Sequence, residues 1–235
     1  MDPGLREAEV VRLLDGIQTA APSVLIGGYA VAAYGPPRFS VDVDLVFPAT
    51  SLEPTRQWIL GQGFSARLTM APSSASDSMS KLRVKKRDAT ADLFFGGVCA
   101  RESGAEIPYA WLSVRHRKKR LQLRTLTTPN PIRVVRPEAL WVLKLMAGRS
   151  QDLSDLFSIR REPFDDREVS EMLASLADVG HRSHIGNVAR KLRSAALYRD
   201  SLSRWGLDSP SLRSNNRDWN AFRDRALTLL GAQPE

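Results

Sequence analysis

The sequence predicts an α/β fold of the α+β kind, with a mixed-sheet core over residues 1–136 and a mainly helical part over 137–235. Three observations carry that expectation. Val41–Phe47, VDVDLVF, alternates Val41, Val43 and Leu45 with Asp42, Asp44 and Val46, the period-two pattern of a strand with one apolar face. Further short apolar runs before residue 136 are bounded by Gly and Pro. From Glu138 onward the chain reads as helix to its end.

Taken in order, Val10, Val11, Leu13, Leu14 and Ile17 give residues 5–20 a helical period, closed by Pro22. Ser23–Ile26 reads as a strand that turns at Gly27-Gly28. Tyr29–Tyr34 follows as a short helix, stopped by Gly35-Pro36-Pro37. After the Val41–Phe47 strand come a helix over 52–61 and a strand over 64–70. The stretch APSSASDSMS, 71–80, has the composition of a mobile loop. Lys81–Lys86 and Thr90–Phe95 form a hairpin about Arg87-Asp88-Ala89, and further strands are expected over 110–116 and 120–127. The helical part reads as 138–147, 152–160, 167–178, 185–203 and 216–230.

Composition narrows the class of function. The 235 residues are 43% hydrophobic, enough for a sizeable core. Lys and Arg number 34 against 26 Asp and Glu, a net charge of +8, which suits either a polyanionic partner or simple solubility. A single cysteine, Cys99, excludes a disulfide framework and a cysteine zinc site within one chain. Three scattered histidines do not make a zinc site, and His181 and His184 read as structural or surface residues. Neither a signal peptide nor an apolar membrane-spanning run is visible, so the expected location is the cytoplasm, with no membrane partner.

The chemistry gathers in LIGGYAVAAYGPPRFSVDVDLVF. Asp42 and Asp44 lie two apart on a strand, so both carboxylates leave the same face. Two such carboxylates repel each other unless a cation lies between them, and oxygen-only ligands favour Mg²⁺ or Mn²⁺ over zinc. Gly27-Gly28, between strand and helix, lets backbone N–H groups approach a phosphate closely. Arg38 and Ser40 stand ready as phosphate contacts just before the aspartates. A third carboxylate for two-metal chemistry is Asp92, in the apolar strand ATADLFF. Asp88 is its competitor, in a turn where Asp is common for local reasons.

Gly-Gly, a short helix, Arg-x-Ser-x-Asp-x-Asp and a later lone Asp together resemble the nucleotidyltransferase superfamily. Residues 137–156, PEALWVLKLMAGRSQDLSDL, resemble the Lys-x-x-Ala-x-Arg-x-x-Asp-x-x-Asp helix of its AbiEii-like branch. The resemblance covers about residues 20–160. It implies a nucleotidyltransferase-type core with Asp42, Asp44 and Asp92 binding two Mg²⁺ or Mn²⁺ ions. Asp92 would also help to deprotonate the attacking hydroxyl. Gly27 and Gly28 would cradle the triphosphate, and Lys144 and Arg149 would contact phosphate. Tyr29 departs from the Ser or Thr that commonly follows the glycines.

Three functions follow from this. The first is transfer of NMP from an NTP to an acceptor hydroxyl on RNA, with tRNA foremost, as the toxin of a toxin–antitoxin pair with an antitoxin partner. The basic run Arg115–Arg120, flanked by Trp111, is a candidate RNA contact or a solvated turn. The second is nucleotidylation of a small antibiotic, against which the many arginines of the C-terminal part count. The third is a nucleotide- or RNA-binding relative without turnover. The helical part is expected to complete a catalytic cleft. Arg149 and Asp152, three apart, are also spaced to pair on a helix surface. Lys144 and Asp155, eleven apart, fall nearly on one face unless Gly148 interrupts the helix.

Overall fold

A stripe of Val10, Leu13, Leu14 and Ile17, each at most 1% exposed, makes the first segment an amphipathic helix, α1 (Pro3–Ala20). The computed structural model describes residues 3–36, 40–70, 79–100, 102–160, 162–176, 179–204 and 212–233. These divide into two units, one from residues 1–99 and 106–136, the other from 100–105 and 137–235.

In the first unit, α1 is followed by β1 (Val24–Ile26), α2 (Gly27–Ala32) and β2 (Asp42–Phe47). A 3-10 turn (Ala49–Ser51) leads into α3 (Leu52–Gly61), then β3 (Ser65–Met70), β4 (Ser80–Lys86) and β5 (Ala89–Phe95). The unit ends with β6 (Gly97–Cys99), β7 (Glu106–Pro108), α4 (Tyr109–Ser113), β8 (His116–Lys119) and β9 (Ile132–Val135). Seven strands form one mixed sheet in the order β3-β4-β5-β2-β1-β9-β8, and β6 and β7 pair separately. β2 runs parallel to β5 and β1 parallel to β9; the other neighbours are antiparallel.

Alternation divides the two sides of this sheet. Val43, Leu45 and Phe47 of β2 sit in register with Ala91, Leu93 and Phe95 of β5, all fully buried. Leu82 and Val84 of β4 extend the same apolar side, and Phe47 stacks on Phe95 with ring centroids 5.2 Å apart. The opposite positions are Asp42, Asp44, Thr90, Asp92, Lys81, Arg83 and Lys85.

Arg6 ties α1 to the strand ends. Its Nη2 donates to the Ser40 carbonyl at 2.6 Å and to that of Val41, and its Nε donates to the Asp88 carbonyl at 3.0 Å. Glu7 beside it accepts from the Arg124 and Thr125 amides and from the Thr125 hydroxyl. Burial pushes the Glu7 carboxyl up, but these hydrogen bonds outweigh it and hold it below the usual range.

The first unit differs from the sequence reading after β5, where β6, β7 and β9 are strands that reading did not mark. Residues 110–116 begin as α4 rather than a strand, because so short an apolar run fits either period. There Arg115 turns back onto Trp111, donating to its carbonyl at 3.1 Å and stacking 4.5 Å from its ring. The basic run is therefore not the separator between two strands: most of it is strand β8, at the edge of the sheet. Residues 120–127 form a loop with one isolated bridge, Gln122 to Thr127, and the partner of β8 is the four-residue β9. The hairpin of β4 and β5 turns at Arg87, whose φ of 52° is left-handed. Of the expected loop 71–80, residues 71–78 lie outside the described residues.

The second unit contains α5 (Pro137–Ala147), α6 (Ser150–Ser158), α7 (Asp166–Ser175), α8 (Val179–Leu192), α9 (Ala195–Arg204) and α10 (Leu212–Leu229). The expected 185–203 helix is two helices, because Ser194 accepts from the Leu197 amide at 3.2 Å and starts α9 anew. Its core is aromatic. Trp141 packs on Phe164 and Phe222, and Phe157 on Trp219 and Phe222, with centroids 4.9–5.7 Å apart.

Replacing Arg6 with Leu leaves three backbone carbonyls without this donor. The expected loss is about 2–4 kcal/mol, read from the urea unfolding midpoint.

Candidate active site

The polar side of the sheet brings the three aspartates named from the sequence into one region. Asp44 pairs in register with Asp92 across the parallel β2–β5 ladder and with Ile26 across β1. Asp42 is two residues before Asp44 on the same face. Asp92 is 7% exposed, so it is a carboxylate held almost out of water. Asp88 is not part of this group. It sits in the β4–β5 turn, and its carbonyl serves Arg6.

Gly27 opens α2 directly after β1, with φ at +67°. A Cβ there would lie 2.0 Å from Asp44 Oδ2, so only glycine lets the backbone pass this close to the carboxylate. Gly28 is buried in the same turn of helix. Tyr29 is also buried, 3% exposed, and belongs to the core of the unit. Ser40 donates its hydroxyl to the Asp42 carbonyl at 3.2 Å, and thus braces the start of β2. Arg38 lies outside the described residues.

Two cations missed in the sequence reading contact these carboxylates. Lys81 Nζ lies 2.6 Å from Asp92 Oδ2. Arg83 spans two aspartates, with Nη1 3.2 Å from Asp92 Oδ1 and Nη2 3.1 Å from Asp42 Oδ1. Thr90 also donates to Asp42 Oδ1. The signal was in the sequence: Lys81 and Arg83 alternate with Leu82 and Val84, which places both cations on the side of the aspartates once β4 pairs with β5.

Three carboxylates in a row, without nitrogen or sulfur donors, have the chemistry of a hard divalent cation such as Mg²⁺. As the side chains stand, no group of three or more His, Cys, Asp or Glu among the described residues could hold a metal ion. Asp42 and Asp92 are instead turned onto Arg83 and Lys81. The donor set fits the ion by type and register, once these side chains turn from the cations.

Lys144 and Arg149, expected at phosphate, belong to a second charge cluster, in the helical unit. Gly148, with φ at +61°, breaks the helix between α5 and α6. The break folds Asp152 and Asp155 back onto Lys144, whose Nζ lies 2.7 Å from one and 2.8 Å from the other. Lys144 is 6% exposed, Asp152 1% and Asp155 0%. Two of the three ammonium donors are thus committed to buried carboxylates. Arg149, with 68% of its side chain exposed, grips Asp152 through Nε at 2.6 Å and Nη2 at 3.2 Å. His184 braces the break, its Nε2 2.9 Å from the Leu145 carbonyl, and Lys191 donates to the Gly148 carbonyl at 2.8 Å. Burial raises the Asp152 pKa, but the charge of Lys144 and the bonds from Arg149 and Lys144 outweigh it, and the net shift is downward.

Three outcomes follow. Gly27→Ala should cost roughly 1–3 kcal/mol in urea unfolding and lower turnover, since left-handed backbone and a clash with Asp44 combine there. Lys144→Met should cost about 3–5 kcal/mol, by leaving two buried carboxylates unpaired. A depressed carboxylate stabilises fully above its unfolded value of 3.8 and loses that contribution as pH falls through the lower folded value. Asp152→Asn should therefore be less stable than the parent at neutral pH and show a shallower loss below pH about 4, followed as urea midpoint against pH.

No curated protein matches the chain. Among solved structures, the chain is similar to JHP933 from Helicobacter pylori, at 15% identity over 98% of this chain and 93% of that one, with a TM-score of 0.47. It is also similar to ANT(2'')-Ia in complex with adenylyl-2''-tobramycin, at 16% identity over 92% and 98%, with a TM-score of 0.38. The family model described as nucleotidyl transferase AbiEii toxin, type IV TA system, matches residues 12–233, and the chain belongs to this family of nucleotidyltransferases.

Proposed function

We propose that this nucleotidyltransferase transfers a nucleoside monophosphate from an NTP to a hydroxyl of tRNA, as the toxin of a toxin–antitoxin pair in the cytoplasm. The observation that carries the reading is the row of Asp42, Asp44 and Asp92 on one side of the sheet, with Gly27 against Asp44, in a chain of this family. The net charge of +8 and the exposed Arg117, Lys118 and Arg120 favour RNA as acceptor. The family's description as a type IV toxin favours an antitoxin as the protein partner.

In this reading Asp42, Asp44 and Asp92 hold two Mg²⁺ or Mn²⁺ ions. Bound there, the ions supply Lewis acidity to the acceptor hydroxyl and charge neutralisation to the triphosphate. Asp92, nearly excluded from water, takes the proton of the acceptor hydroxyl. The hydroxyl oxygen forms its bond to the α-phosphorus in line as the bond to pyrophosphate breaks. Gly27 and Gly28 bring backbone N–H groups to the triphosphate, with Ser40 just before β2, and Arg38 is assigned to phosphate from its place in the sequence. Ser40 acts by bracing the strand through the Asp42 carbonyl. Lys144 serves by holding the α5–α6 break through Asp152 and Asp155, with one N–H left for a phosphate. Arg149 offers the more accessible charge of the pair.

The test is incubation of the protein with each α-³²P-labelled NTP, Mg²⁺ and total tRNA, beside an Asp42→Ala/Asp44→Ala variant. Label should appear on tRNA with a preferred NTP and fall at least ~100-fold in the variant. Absence of label with all four NTPs sinks tRNA as acceptor, and undiminished label in the variant sinks the aspartates as the site.

A further inference from the structure

Two cations on β4 hold two of the three aspartates. Asp92 carries both Lys81 Nζ, at 2.6 Å from Oδ2, and Arg83 Nη1, at 3.2 and 3.3 Å from its two oxygens. The same guanidinium reaches Asp42 Oδ1 at 3.1 Å. Arg83 therefore bridges the other two carboxylates of the group, Asp42 on β2 and Asp92 on β5. The arrangement is fixed by pairing. Arg83 stands in register with Asp92, and Leu82 and Val84 on either side are buried, so slipping β4 by one residue would bury the charges.

We infer that Arg83 and Lys81 are displaceable counter-ions, which pass from the aspartates to triphosphate oxygens when a divalent metal enters with its nucleotide. The inference rests on the metal reading above. A divalent ion and a guanidinium on the same oxygens repel, so metal entry must drive the cation off. Arg83 has room to leave, because 47% of its side chain is exposed while only 10% of Asp92's is. A guanidinium fork fits phosphate as well as carboxylate, so a triphosphate gives the released group an equivalent partner. The consequence is coupling: metal alone binds against competition, metal with triphosphate does not, and each tightens the other by the same factor.

The experiment uses Mn²⁺ as probe, read by electron paramagnetic resonance, first alone and then as its complex with inorganic tripolyphosphate. Proteins compared are the parent, Arg83→Gln, Lys81→Gln and Lys85→Gln, with folding checked by thermal unfolding. Lys85 lies on the same side of β4 but stands opposite Thr90 rather than an aspartate, so it controls for charge alone. Arg83→Gln and Lys81→Gln should bind free Mn²⁺ about 3- to 10-fold more tightly and the Mn²⁺–tripolyphosphate complex more weakly, with Lys85→Gln unchanged in both. Unchanged Mn²⁺ affinity in both aspartate-contact variants, equal tightening in Lys85→Gln, or undiminished binding of the complex would overturn the inference and leave the metal site standing. No Mn²⁺ binding by the parent or any variant overturns the metal reading as well.

Discussion

The parallel pairing of β2 with β5 is the constraint on which the rest depends. Its register puts Asp44 beside Asp92 and, on the other side of the sheet, Leu45 beside Leu93. Since successive side chains alternate, one pairing produces both the hydrophobic core and the row of carboxylates. The core then protects the site. A one-residue slip, which would separate Asp44 from Asp92, would also turn Val43, Leu45 and Phe47 out of the apolar side, at a cost of several fully buried side chains. The carboxylates repel one another, but burial of the apolar side holds them in their row.

Much of this was legible before the structure. The period-two pattern of VDVDLVF marks both the strand and its acidic side, and the glycines ahead of it mark a turn, expected to bring backbone N–H groups to a phosphate. Gly27 does turn the chain with a left-handed φ, and the group that lies where its Cβ would be is the carboxylate of Asp44. What was illegible depended on partners far along the chain. β9 is four residues, too short to show a period, and becomes a strand by pairing with β1 and β8. Lys81 and Arg83 look like solvated strand residues until the β4–β5 register sets Arg83 opposite Asp92. Lys144 and Asp155 meet although they do not share a helix. Gly148 turns the chain between α5 and α6 and brings together residues that a single helix would have aligned by angle.

The two charge clusters are built on opposite principles. Around Lys144, two buried carboxylates face an ammonium and a guanidinium, so the formal charges cancel within residues that hydrogen-bond one another. Such a cluster is stable in a low dielectric only because it is closed; removing one member exposes the desolvation cost of the others. Its place at a helix break, braced by His184 and Lys191, suits a group whose work is to hold α5 and α6 in fixed relation.

On the sheet, the partners of the aspartates are not closed in. Asp42 and Asp92 are held by Lys81 and Arg83, cations that reach them from the neighbouring strand. Arg83 is half exposed and sits on a strand whose backbone does not need its side chain for folding, since Leu82 and Val84 supply the packing. Carboxylates beside a cation that can leave favour an incoming multivalent cation, whereas the carboxylates of the helical unit stay with their buried lysine. The same residue types, aspartate with lysine and arginine, therefore serve structure in one unit and exchange in the other. The difference lies in how far the partner of each aspartate is buried, the Arg83 side chain being 47% exposed and that of Lys144 8%.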